Sequence, residues 1–208
     1  LPHHTPSHTL INVHGIRSNG DSDIDLLGTA LAAHPSIQAS PFTYERVGIH
    51  GARNCQLLRD AGAQLRHFAR APRNVPRSSV ICHSNGFNVV LEAIRQGVNF
   101  DRIFAFAPAT EPDILLYDNC HSTGGFNHLH IIHNPGDIAL MLGALLFRHP
   151  FGSLGRIGYT GPCPNIANHN LHITRQGDWL GHSSFFYGQN LEKCHDLVLS
   201  HLLGPTPV

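Results

Sequence analysis

Charge is scarce in this chain of 208 residues. Only 13% of its residues are charged, 14 basic against 14 acidic, and the formal net charge is zero. Lys193 is the sole lysine. Such a balance leaves no electrostatic footprint for nucleic acid or for an anionic membrane surface. The five cysteines contain no C-x-x-C pair, and their odd number leaves at least one thiol unbridged. A Cys120–Cys163 disulfide is left open. No apolar run is long enough to span a bilayer, so no transmembrane segment is expected. No signal peptide is visible, which slightly favours a cytoplasmic setting. The first residue is Leu1, however, so a removed leader stays open.

Histidine, by contrast, is abundant, with 18 residues. The close groups His3-His4-His8 and His128-His130-His133 lack the carboxylate or cysteine neighbours that would complete a zinc-site spacing. No metal site and no cofactor are therefore expected. Hydrophobic residues make up 41% of the chain, enough for a packed core. The expectation is a single domain over residues 1–208, with residues 1–8 as an irregular arm.

Hydrophobic periodicity predicts strands at Thr9–Val13, Phe42–Val47, Ser79–Cys82, Ile103–Ala107, Leu129–His133 and Asn168–Ile173. Helices are predicted at Ile24–Ala33, Ala52–Ala69, Phe87–Ile94, Ile138–Phe147 and Leu191–Leu203. Ile138–Phe147 is too short for a membrane anchor and reads as a buried helix or a site wall. Residues 149–165 read as a long Gly- and Pro-rich loop. Strands alternating with helices give an α/β fold: a mostly parallel central sheet of about six strands, flanked by helices on both faces. Gly15, Ser84, Asp137 and His182 all follow strands. Right-handed crossovers bring those strand ends to one edge of the sheet, where open α/β sheets bind ligands.

Cys82-His83-Ser84-Asn85-Gly86 joins the third strand to an apolar helix. A serine on such a tight strand-to-helix turn stands exposed at the top of the sheet, as in a nucleophile elbow. The turn needs small residues two positions either side of the serine. Gly86 meets that need, and Cys82 replaces the usual first glycine. The blander reading of Ser84 is a helix cap.

Three further positions complete a set of roles. Ester cleavage needs a nucleophile, a base, a group to orient the base, and donors for the oxyanion. Asp137 follows the fifth strand; its competing reading is an N-cap for the next helix. His182 lies in Gly177-Asp178-Trp179-Leu180-Gly181-His182-Ser183-Ser184, and imidazole exchanges protons near neutral pH. Asp113 and Asp178 are alternatives for the acid, and His172 and His195 for the base. The order Ser…Asp…His, the elbow and the His14-Gly15 pair resemble the α/β-hydrolase superfamily over Thr9 to Leu203. That resemblance implies a catalytic triad of Ser84, Asp137 and His182. It also implies an oxyanion hole from the N–H groups of Asn85 and of Ile16, with Arg17 second to Ile16. His14 is read as bracing its loop. The spacing between Pro108 and Leu129 leaves no room for a large lid.

Two classes of function follow as expectations. The first is a serine esterase of lipase-like type, acting on a small-molecule ester through an acyl-enzyme, with thioester or amide cleavage by the same residues as a variant. The second is an inactive relative that binds a small molecule. Trp179, Phe185, Phe186 and Tyr187 flank His182, and read either as a surface-association patch or as the lining of an acyl cleft. Oligomeric state is left unassigned.

Overall fold

A computed structural model describes residues 6–16, 23–45, 55–69, 78–112, 125–147 and 152–204. The elements in chain order are β1 (His8–Val13), α1 (Asp23–Ala32), β2 (Ile37–Phe42), α2 (Cys55–Ala69), β3 (Ser79–His83) and α3 (Gly86–Arg95). There follow β4 (Phe100–Phe106), β5 (Phe126–His133), α4 (Ile138–Phe147), α5 (Leu154–Ile157), β6 (Ile166–Asn170), a 3₁₀ turn (Ser184–Phe186) and α6 (Gly188–Leu203). The six strands form one sheet in the order β2-β1-β3-β4-β5-β6. Every pairing is parallel.

Central strands are buried on both faces, so they read as apolar runs. β3 is buried throughout, and Ile103 to Phe106 of β4 are fully buried. From β1 the chain steps outward to β2, then returns to place β3 on the other side of β1. The order reverses between β1 and β3, and the crevice above such a reversal is where open α/β sheets take ligands. Right-handed crossovers leaving in opposite directions put α1 and α3 on opposite faces. α1 packs with α6 and the 3₁₀ turn, while α2 packs with α3.

Several boundaries differ from the periodicity reading, for physical reasons. The second strand is Ile37–Phe42, not Phe42–Val47; Val47 lies outside the described residues. It is a sheet edge of mixed burial, so it carries no apolar run, and Pro41 is tolerated there because edges leave N–H groups unused. β4 and β5 start earlier than expected, at Phe100 and Phe126, because their first turns carry polar residues. β6 is Ile166–Asn170, and the 149–165 stretch holds the short helix α5. The helix expected from Ala52 is seen from Cys55, since residues 52–54 lie outside the description, as do Pro72, Pro76 and Cys120. α4 keeps its predicted bounds but is not a buried helix. Leu145 and Leu146 are 74% and 66% exposed, with Leu140 packed beneath. Among the described residues no helix is long and apolar enough to cross a membrane.

Candidate active site

Ser84 sits between β3 and α3 with φ of 56°, a left-handed backbone that a side-chain-bearing residue rarely adopts. Its N–H donates to Phe106 O at 3.0 Å, and its carbonyl accepts from Ala109 N at 3.2 Å and Phe87 N at 3.2 Å. The strain is thus held in place by β4 and the segment after it. Ser84 is not a capping residue: the helix cap is Asn85, and no side-chain cap bond is made.

Close approach explains the small residues around the elbow. A Cβ on Gly86 would stand 2.6 Å from both Val13 O and His14 O, backbone atoms of the β1 end. A Cβ on Gly15 would meet Ser84 Cβ at 2.9 Å. Cys82 is fully buried, its thiol directed at Phe104 O at 3.7 Å, and burial pushes that thiol's pKa up. It serves as a small apolar residue. Gly86→Ala is expected to lower stability by about 3 kcal/mol or to prevent folding, because the obstructing atoms are backbone that no rotamer change can move. Thermal unfolding of the variant measures this.

Asp137 and His182 meet. The His182 Nδ1–H donates to Asp137 Oδ2 at 2.6 Å, across 45 residues of sequence. The Asp137 side chain has no exposure and that of His182 is 17% exposed. The other oxygen, Oδ1, accepts from Leu140 N at 2.8 Å in the first turn of α4. Asp137 therefore caps α4 with one oxygen and holds the His182 ring with the other. With Nδ1 donating, the neutral ring keeps Nε2 as an acceptor.

The rivals among the described residues have other partners or stand exposed. Asp178 accepts from Leu180 N at 2.9 Å and from Ser183 N at 2.8 Å, so it shapes the loop that bears His182. Asp113 and Arg17 lie outside the described residues. His195 pairs with exposed Asp196 on α6. His172 takes a positive φ of 47° in the loop after β6, exposed. His14 braces its loop: its ring stacks on Tyr44 at 4.2 Å, and the Tyr44 hydroxyl donates to His14 O at 2.8 Å.

His83, to which the sequence reading assigned no role, links the elbow to the His182 loop. Its Nε2–H donates to His182 O at 3.1 Å, and the two rings lie 4.6 Å apart between centroids. This bond ties the loop that bears His182 to the residue directly before Ser84. No direct hydrogen bond joins Ser84 Oγ to His182 among the described residues. Asn88, likewise unassigned, donates to Asn85 Oδ1 at 2.9 Å and to Ala109 O at 3.0 Å, tying the elbow helix to the strand-end loop. Neither the Ile16 N–H nor the Asn85 N–H has an acceptor among the described residues. Of the flanking aromatics, Phe185 and Phe186 are core, at 0% and 1% exposure, whereas Trp179 is 78% exposed.

Burial drives the His83 pKa down from 6.5 to about 3, and the neighbouring His182 adds to the shift. The native ring stays neutral, while the unfolded chain takes up a proton below the ordinary value. His83 therefore contributes stability that is present above pH 6.5 and is lost as pH falls towards about 3. Between pH 7 and 5 the loss attributable to His83 is about 2 kcal/mol. Urea unfolding at the two pH values should show that loss shrinking in His83→Gln, which keeps a donor for His182 O.

This six-stranded parallel sheet with its elbow after β3 is the α/β-hydrolase fold, and the chain resembles the members of that superfamily. Among solved structures, it is similar to the crystal structure of esterase PE8, at 14% identity and a TM-score of 0.53, over 95% of this chain and 94% of that one. A protein from Xanthomonas campestris pv. campestris assigned to the α/β-hydrolase superfamily also matches, at 15% identity over 93% of this chain and 99% of that one. Its TM-score is 0.48, too low to carry an argument. No family model matches the sequence, and no curated protein does. At such identities the likeness concerns the fold.

Proposed function

We propose that this protein is a serine hydrolase that cleaves carboxylic esters, with Ser84 as nucleophile, His182 as base and Asp137 as the residue orienting it. The observation that carries this reading is the 2.6 Å Asp137–His182 bond, joined through His83 to a serine at positive φ. Ser84 Oγ attacks the ester carbonyl carbon as its proton passes to His182 Nε2. The negative charge that develops on the carbonyl oxygen is met by the Asn85 and Ile16 N–H groups. The imidazolium, stabilised by Asp137, then gives its proton to the leaving alcohol. A water molecule, deprotonated by the same nitrogen, releases the acid and restores Ser84.

Apolar acyl groups suit the surroundings. Ile138 N, at the start of α4, donates to Leu180 O at 2.9 Å, so the helix begins against the His182 loop. That helix exposes Met141, Leu142, Leu145 and Leu146, and the loop exposes Trp179. Thioesters and amides present the same carbonyl to the same groups and are the natural second substrates to try.

The test is intact-mass spectrometry after exposure to a fluorophosphonate. One covalent adduct on the wild type, absent from Ser84→Ala, is expected. No adduct on folded wild type would overturn the reading and put small-molecule binding in its place.

A further inference from the structure

We propose that His130, His169 and His201 form a zinc-binding site that fastens β5, the edge strand β6 and the C-terminal helix α6 together. One ring nitrogen from each lies within 4.8 Å of the other two. The sheet register explains how they converge. His130 pairs with Phe104 across β4, and Ile132, on the same face of β5, pairs with His169. Phe104 contacts His201 of α6, so all three rings lie on the sheet face that α6 covers. They come from three separate elements, which is why spacing along the chain gives no hint of them. The sequence reading looked instead at His128, His130 and His133, of which only His130 belongs to the set.

His130 is the informative member. It is 5% exposed, stacked on Phe104 at 4.7 Å with the planes 10° apart. Its Nδ1 lies 3.0 Å from His169 Nε2. Its Nε2 is buried and has no hydrogen-bond partner among the described residues. The nitrogen that faces the ion is Nδ1, which meets only another imidazole nitrogen, and Nε2 then carries the ring's proton.

The chemistry fits a zinc-class ion. Two imidazole nitrogens bound at about 2.0–2.1 Å in tetrahedral geometry lie about 3.3 Å apart. The His130–His169 pair is already close to that spacing, and His201 needs a small inward movement of its ring. Imidazole binds metals in its neutral form. No thiolate or carboxylate joins the set among the described residues, which points to zinc or its neighbours rather than to calcium or magnesium. Three protein ligands leave a fourth position for water. Arg102, whose guanidinium bonds His201 O, His128 and His133 are further basic groups near the cluster.

The experiment uses the full chain without an affinity tag. The protein is loaded with zinc chloride, dialysed against metal-free buffer and assayed by inductively coupled plasma mass spectrometry, with affinity from calorimetry. Wild type should retain about one zinc per chain. His169→Gln and His201→Gln should bind it at least about tenfold more weakly, since loss of a mere supporting residue costs that much. His195→Gln, outside the cluster on α6, should behave as wild type. Retention by wild type that both cluster variants match would place the zinc on scattered surface histidines and overturn the proposal. No retention by wild type would overturn it equally. Should His201→Gln fail to fold, His169→Gln on the edge strand decides, with circular dichroism as the check.

Discussion

Ser84→Ala is expected to lower ester turnover by about 10⁴- to 10⁶-fold, leaving only the residual rate that binding and oxyanion donors supply. The loss should fall on kcat, because the hydroxyl forms a bond only along the reaction path. Stability should scarcely change. Alanine and serine face the same backbone cost at φ of 56°, and among the described residues the hydroxyl makes no hydrogen bond that alanine would forfeit. Ser84→Gly separates the two roles further. It should be as inactive as the alanine variant yet more stable than wild type by about 1 kcal/mol, since glycine accepts the left-handed region freely. Initial rates on an activated ester, paired with thermal unfolding, measure both. Undiminished turnover in Ser84→Ala would remove Ser84 from the chemistry.

Asp137→Asn should cost about 10⁴-fold in kcat. The reason lies in the two donors that face this carboxylate: the His182 Nδ1–H at Oδ2 and the Leu140 N–H at Oδ1. An amide has one oxygen and one NH₂, so it can accept from only one of them. If its oxygen faces Leu140, its NH₂ faces His182 Nδ1, and the ring must switch tautomer, taking its proton to Nε2 and losing its capacity to accept from Ser84. If its oxygen faces His182, the helix loses its cap, at about 1 kcal/mol. The rate should recover as pH rises only to the extent that another base replaces the imidazole. A pH–rate profile with a parallel unfolding measurement separates the catalytic cost from the capping cost. An unchanged kcat would show that Asp137 serves only α4.

Much of the scaffold is legible from local pattern. β1 and β3 are short apolar runs because both their faces are covered, and α4 keeps its predicted bounds Ile138–Phe147. The edges are harder to read. β2 pairs on one side only, so Gln38, Ser40 and Pro41 are tolerated and the apolar signal disappears. The polar starts of β4 and β5 hide for a different reason: Asp101 and Arg102 form an ion pair at 3.4 Å, and Arg102 reaches α6, satisfactions that no window of sequence displays.

The candidate site divides in the same way. The elbow at Ser84 is a local feature, since a strand, a tight turn and a small residue two positions on define it within a dozen residues. By itself the sequence determined that elbow, the alternation of strands and helices, and the order in which serine, aspartate and histidine occur. Only the tertiary structure decided that Asp137 rather than Asp178 meets the His182 ring. It alone coupled His83 to His182 and gathered His130, His169 and His201 on one face. Those outcomes depend on sheet register and helix packing between residues up to 99 positions apart. A local pattern encodes which face a side chain takes, but the partner it finds there is set by the strand or helix that packs beside it.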